Sequence, residues 1–329
     1  MRSGSSRPSD LGMRKQAVLF ALTFVLALFP GSARARVSFE ALQQDGYGMV
    51  ELVRPEPNTL MVKATINGRK ARLIVDTGWS DEGITIKPNY GKVLNSPIRA
   101  VKGFGLSASG RSVGSFQEGE ADSVIMGNVI MRNVPIIFGA LGSLQLSYSR
   151  SNVQADGFIG SGFLRTCSAI IDLHNLRLYL RPPGTGRRAV ISSAMKGQGL
   201  AEVPFSIVDS HCFVDVEVNG VAGSMFVDTG ASLAEVDEHF AKLMKARAYS
   251  SRVVMVDAAG VETPTKLTQL RSFKIGGVEV RAPDLRIGQL AFYQLTHGEV
   301  VGLLGMDILG KNGTIIDFGQ KKLYFYPYF

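Results

Sequence analysis

The chain is written twice. Shifted by 152 residues, Val62–Ser80 (VKATINGRKARLIVDTGWS) falls on Val214–Ser232 (VDVEVNGVAGSMFVDTGAS). Asn67-Gly68 lands on Asn219-Gly220, and Asp76-Thr77-Gly78 lands on Asp228-Thr229-Gly230. Each triplet closes an apolar run and is followed, one residue later, by Ser80 or Ser232. Further blocks repeat at a shift of 145. Gly157-Phe158-Ile159-Gly160 falls on Gly302-Leu303-Leu304-Gly305, and Ile170-Ile171-Asp172-Leu173 on Ile315-Ile316-Asp317-Phe318. Arg177-Leu178-Tyr179-Leu180 falls on Lys322-Leu323-Tyr324-Phe325. A period this long is far beyond that of a solenoid and implies two homologous lobes. The seven-residue difference between the shifts assigns extra loop to the middle of the first copy.

Within each copy, Asn-Gly between alternating apolar residues signals a tight hairpin, so each reads strand, turn, strand, acidic loop. Glycine occurs 37 times and breaks the chain into short strands. The fold class read from this pattern is all-β with a few short helices, in two β-barrel-like lobes related by a pseudo-twofold axis. At 329 residues and 45% hydrophobic content, each lobe has enough material for a core. The boundaries are residues 1–35 for a signal peptide, 36–182 for the N-terminal lobe, 183–198 for an interlobe linker and 199–329 for the C-terminal lobe. The linker lies in the Pro/Gly-rich segment Arg181–Gly199 and reads as a solvated loop. One helix is predicted, over Ala234–Arg247, with Val236, Phe240, Leu243 and Met244 on one face. The equivalent stretch of lobe one, Asp81–Pro97, reads as a loop with at most a short helical turn, and Arg36–Pro57 as a first strand without a long basic propeptide.

Arg14 and Lys15 precede an uncharged apolar stretch, Ala17–Phe29, then Pro30-Gly31 and the small-x-small site Ala33-Arg34-Ala35. This is the pattern of an export signal, too short to span a bilayer as a helix. The expected localisation is therefore exported, periplasmic or secreted. An uncleaved anchor is the other reading. Half of the net charge of +8 lies in residues 1–35. The rest is mild, and neither lobe has a basic run interleaved with aromatics, so nucleic-acid binding is not expected. His174, His211, His239 and His297 have no ligand spacing, and no metal or other cofactor is expected. Cys167 and Cys212 read equally as an interlobe disulfide or as two buried thiols.

The candidate catalytic residues are Asp76 and Asp228. If the lobes are related by a twofold axis, their loops meet back to back and the carboxyl groups lie side by side. Like charges that close cannot both ionise easily, so the pair holds one proton over a wide pH range. One carboxylate then draws a proton from water while the other protonates the carbonyl oxygen of an amide. Gly78 and Gly230 permit close approach of the loops. Thr77 and Thr229 are expected to bond to backbone across the axis, and Ser80 and Ser232 to donate to the neighbouring aspartate. Taken singly, either triplet is only an Asx-type turn.

On these motifs the chain resembles a bilobal aspartic protease: pepsin-like in its two fused lobes, retropepsin-like in the wording of each lobe. Gly302–Leu309 is similar to the hydrophobic-hydrophobic-Gly segment of retropepsins and their bacterial relatives. Asp156–Gly160 resembles the corresponding segment of pepsin's first lobe. The resemblance covers about residues 48–329. It implies the acid-protease fold, Asp76 and Asp228 as the catalytic pair, and a peptide or protein substrate bound in extended conformation, most simply by a monomer. It also implies a flap, which two segments match by position: the turn Ala108–Arg111 inside Phe104–Phe116, and the turn Ala258–Gly260 inside Val253–Leu267. An ordinary hairpin remains the other reading of each, and neither Phe104 nor Phe116 is assigned to the flap tip. Trp79 departs from the family pattern, where a small residue such as Ala231 is usual. Two functions follow: an exported endopeptidase, or a protease-like module that binds peptide or protein without cutting it.

Overall fold

The computed structural model describes residues 38–55, 59–101, 116–139, 154–256, 262–282 and 284–327. The export segment, the turn at 108–111 with Phe104, and the turn at 258–260 lie outside these residues. In lobe one the strands Met61–Ile66 and Arg69–Asp76 form a hairpin, matched in lobe two by His211–Val218 and Val221–Val227. The turn residues carry positive φ in both copies, 43° and 83° at Asn67-Gly68 and 51° and 86° at Asn219-Gly220. Left-handed backbone at both central positions gives the turn twist that suits two right-twisted strands, which is why Asn and Gly stand there. Leu73 and Val75 enter the main core while Ile74 packs on the opposite side, so strand alternation carries Asp76 to the face of Ile74.

Strand order repeats position by position. In lobe one it runs Phe116–Ala121, Val134–Gly139, Ile84–Ile86, Gly157–Gly160, Arg69–Asp76, Met61–Ile66, Val124–Met126, Val129–Met131. In lobe two the same places are held by Glu262–Thr268, Leu285–Gly288, Glu235–Asp237, Val300–Leu304, Val221–Val227, His211–Val218, Phe273–Ile275, Val278–Glu279. In both copies the strand ending at the acidic loop lies parallel to the Gly-bounded strand, with Asp76 opposite Gly160 and Val227 opposite Leu304.

The lobes share a third sheet, ordered Gly48–Glu51, Arg177–Leu180, Ile170–Asp172, Ile315–Asp317, Lys322–Phe325, Ala201–Pro204. At its centre Ile170 faces Asp317, Ile171 faces Ile316 and Asp172 faces Ile315. The repeat carries Ile170 onto Ile315 and Asp172 onto Asp317, so it exchanges the two outer pairs and swaps the members of the central one. That reciprocity defines a self-complementary junction, with the local twofold axis between Ile171 and Ile316.

Four expectations are corrected here. The helix predicted over Ala234–Arg247 is a strand, Glu235–Asp237, followed by a shorter helix, Glu238–Leu243. Val236 lies between two neighbouring strands, and Leu243 is 62% exposed rather than on the buried face. Helical spacing gave way to tertiary pairing, and Asp237 caps the helix by accepting from the His239 N–H at 2.8 Å. Lobe one has the matching pieces, the strand Ile84–Ile86 and a 3-10 helix Pro88–Val93, so the lobes are more alike than Asp81–Pro97 implied. The linker is not simply a solvated loop. It contains the helix Ser192–Gly197, and Ala189, Ile191 and Met195 are buried with Leu42, Tyr47, Ile170, Tyr179, Ile315 and Tyr324 against the shared sheet. The opening segment likewise holds the helix Phe39–Gln44 before its strand. Among the described residues no helix is long and apolar enough to cross a membrane.

Candidate active site

Asp76 ends its strand opposite Gly160, and the Asp228 N–H donates to the Leu304 carbonyl at 3.0 Å. Both acidic loops are thus pinned to the Gly-bounded strand of their own lobe. A side chain on Gly160 would strike the Trp79 carbonyl at 2.2 Å, and one on Gly305 would strike the Leu233 backbone at 2.5 Å. The loops then pack crosswise. A Cβ on Gly78 would lie 2.8 Å from the Asp228 carboxylate, and one on Gly230 would lie 2.3 Å from that of Asp76. Each glycine therefore backs onto the aspartate of the other lobe, with no room for a methyl group.

The threonines join the loops by four reciprocal bonds. Thr77 Oγ1 donates to the Val227 carbonyl at 2.6 Å, and Thr229 Oγ1 donates to the Val75 carbonyl at 2.8 Å. Each hydroxyl also accepts from the other threonine's backbone, Thr77 N–H to Thr229 Oγ1 at 3.1 Å and Thr229 N–H to Thr77 Oγ1 at 2.9 Å. Both side chains are buried, so each hydroxyl satisfies one polar group from each lobe where water does not reach.

Ser80 and Ser232 do not take the place expected of them: neither hydroxyl hydrogen-bonds an aspartate. The donors are turn amides. Gly78 N–H reaches Asp76 Oδ1 at 2.9 Å, while Gly230 and Ala231 N–H reach Asp228 Oδ1 at 2.8 and 3.1 Å. Ser232 is exposed.

Burial raises both acids. Burial, and then the charge of Asp228, push Asp76 well above the usual carboxylate range. Burial also raises Asp228, opposed by the N–H groups of Gly230 and Ala231, which favour its charged form. The pair therefore keeps one proton where an isolated aspartate would have lost it.

Two neighbours were not singled out by sequence. Ser161, fully buried, shares its one hydroxyl proton between the Trp79 carbonyl at 3.0 Å and the Ser210 carbonyl of lobe two, linking the first acidic loop across the interface. His211 meets Phe226 edge-on at 5.3 Å, beside the second acidic loop. Burial lowers its pKa, favouring the neutral ring, against an opposing pull from Asp228. Nothing local marks either residue. Both become visible only when the repeat is used to ask what stands beside each loop. Cys167 and Cys212 are free thiols in the core, and burial pushes each up to about 12, so neither is a nucleophile.

Residues 214–308 match the family model described as aspartyl protease. Among solved structures, the aspartic proteinase from Irpex lacteus is similar, with 13% identity over 85% of this chain and 97% of that chain and a TM-score of 0.49. No curated protein matches the chain. The family match covers the second acidic loop and its Gly-bounded strand, and the repeat sets the same parts in lobe one. Over residues 214–308 the chain is similar to the aspartyl protease family.

Proposed function

We propose that the chain is an endopeptidase that hydrolyses peptide bonds with water activated between Asp76 and Asp228. The observation that carries this reading is the crosswise packing of Gly78 on Asp228 and of Gly230 on Asp76, which sets the two carboxyl groups against each other. Asp228, whose Oδ1 accepts two N–H groups, is the ionised partner and draws a proton from water. Asp76 holds the shared proton and gives it to the carbonyl oxygen as water attacks. The resulting tetrahedral intermediate collapses when Asp228 gives the proton it took from water to the leaving amine and a hydroxyl of the intermediate returns its proton to Asp76. Thr77 and Thr229 keep the acids in register, and an extended peptide lies across both loops. The intact pair favours hydrolysis over a module that only binds. Export with removal of residues 1–35 belongs to the same reading. Intact-mass measurement of the exported chain is expected to give a start at Arg36, and retention of residues 1–35 would contradict it.

The pH profile tests the mechanism. Activity needs Asp228 ionised and Asp76 protonated. It rises with pH as Asp228 loses its proton, and falls as pH increases further through the raised pKa of Asp76. Cleavage of a fluorogenic peptide from pH 2 to 9 is expected to give a bell with limiting slopes of about +1 and −1 in log kcat/KM. A rate that stays flat or keeps rising to pH 9 would exclude a shared proton as the reacting one.

A further inference from the structure

The faces beside the two aspartates are built from equivalent positions but are not equally open. Ile74 precedes Asp76 by two residues and Phe226 precedes Asp228 by two, so each lies on the strand face of its aspartate. In lobe one that face is closed. Ile74, Met61 and Phe158 are 1, 4 and 2% exposed, with Trp79, Val53 and Ala155 packed against them. Trp79 stacks on Phe158 at 5.8 Å and meets Phe116 edge-on at 6.4 Å. Its indole N–H is shared between Asp81 Oδ2 at 2.7 Å and Thr85 Oγ1 at 2.9 Å, and the Thr85 hydroxyl donates to Asp81 in turn. Stacking and a forked bond together hold the ring as a fixed cover.

Among the described residues lobe two has no such cover. The counterpart of Trp79 is Ala231, and the counterparts of Met61 and Ile74 are Phe213 and Phe226, both only half-buried. Phe226 packs on Phe213 at 4.6 Å, on Phe292 at 4.9 Å and on His211 at 5.3 Å. Beside Asp228 there is thus an aromatic shelf with accessible ring surface, where beside Asp76 an indole fills the space.

We infer that this asymmetry sets specificity. The preferred peptide carries a small side chain, glycine, alanine or serine, on the lobe-one side of the scissile bond. It carries a large apolar or aromatic side chain on the lobe-two side. The inference rests on the peptidase reading above, and Trp79 and Phe226 are its specificity-determining residues.

Cleavage-site mapping in a peptide pool, with the wild type, Trp79→Ala, Trp79→Leu and Phe226→Ala, tests it. The wild type is expected to restrict one position flanking the bond to small residues and to favour large ones at another. Trp79→Ala, and the more conservative Trp79→Leu, raise kcat/KM for peptides with leucine or phenylalanine at the restricted position by about tenfold or more. Phe226→Ala lowers kcat/KM for large residues at the other position by a similar factor. Wild-type cuts with large residues on both sides, or an unchanged profile in both Trp79 variants, would overturn the inference while leaving peptidase activity in place. Calorimetric binding of non-hydrolysable hydroxyethylene peptide isosteres reads the same preferences without turnover. Sorting as predicted with no cleavage by any form would keep the inference and remove the peptidase reading.

Discussion

Asp76→Asn and Asp228→Asn are each expected to lower kcat by about 10³-fold or more while leaving the protein folded. An amide in place of either carboxyl removes the proton donor or the base, and such groups contribute roughly 10²- to 10⁴-fold each. The two substitutions act on one unit, so the double variant is expected to be little worse than either single one. Stability moves the other way. Asp76 has its pKa raised by folding, so its contribution is favourable below the unfolded pKa and is lost as pH rises through the folded value. Asparagine carries no such dependence, and Asp76→Asn is expected to melt at or above the wild-type temperature at pH 7. Thermal melts beside kcat on one peptide separate a lost reaction from a lost fold. A variant that is both inactive and unfolded would assign Asp76 a structural role instead.

The second large effect concerns the junction of the lobes. Thr77→Val deletes the donor to the Val227 carbonyl and the acceptor of the Thr229 N–H, leaving that N–H buried without its partner. Thr229→Val does the mirror-image damage. A buried donor stripped of its acceptor costs about 1–3 kcal/mol, and the second broken bond adds to it, so about 3 kcal/mol is expected for each variant. Thr→Ser keeps the hydroxyl and is expected to recover most of the loss. Urea denaturation followed by fluorescence measures this. A change below about 1 kcal/mol for both valine variants would mean that the reciprocal bonds do not hold the loops together.

Much of this architecture was legible because the chain repeats. The Asn-Gly turns announced the hairpins, since few other pairs accept left-handed backbone at both positions. The Gly-Phe-Ile-Gly and Gly-Leu-Leu-Gly blocks matched because a Cβ at Gly160 or Gly305 collides with the loop beside it. What stayed hidden depends on contacts made across the fold. Glu235–Asp237 has helical spacing in sequence but is claimed by two strands. The linker helix was masked by its Pro/Gly-rich flanks, although Met195 is needed under the shared sheet. Ser80 and Ser232 stood at suggestive positions, yet the donors to the carboxylates are turn amides. The two cysteines read equally as a bridge or as apolar filler, and packing in the core, with Cys167 Sγ 3.9 Å from Met131 Sδ, made them filler. Trp79 was an oddity in sequence and acquires meaning only beside Asp81, Thr85 and Phe158.

The central claim is that one site assembled from two lobes cuts peptide bonds. It is tested most directly by digesting a proteome-derived peptide pool with the wild type, Asp76→Asn and Asp228→Asn side by side, and reading new termini by mass spectrometry. New termini with the wild type, absent with each folded variant, are the predicted result. Cuts that persist unchanged when either aspartate is replaced, or a wild type that produces none at any pH from acid to neutral, would contradict it.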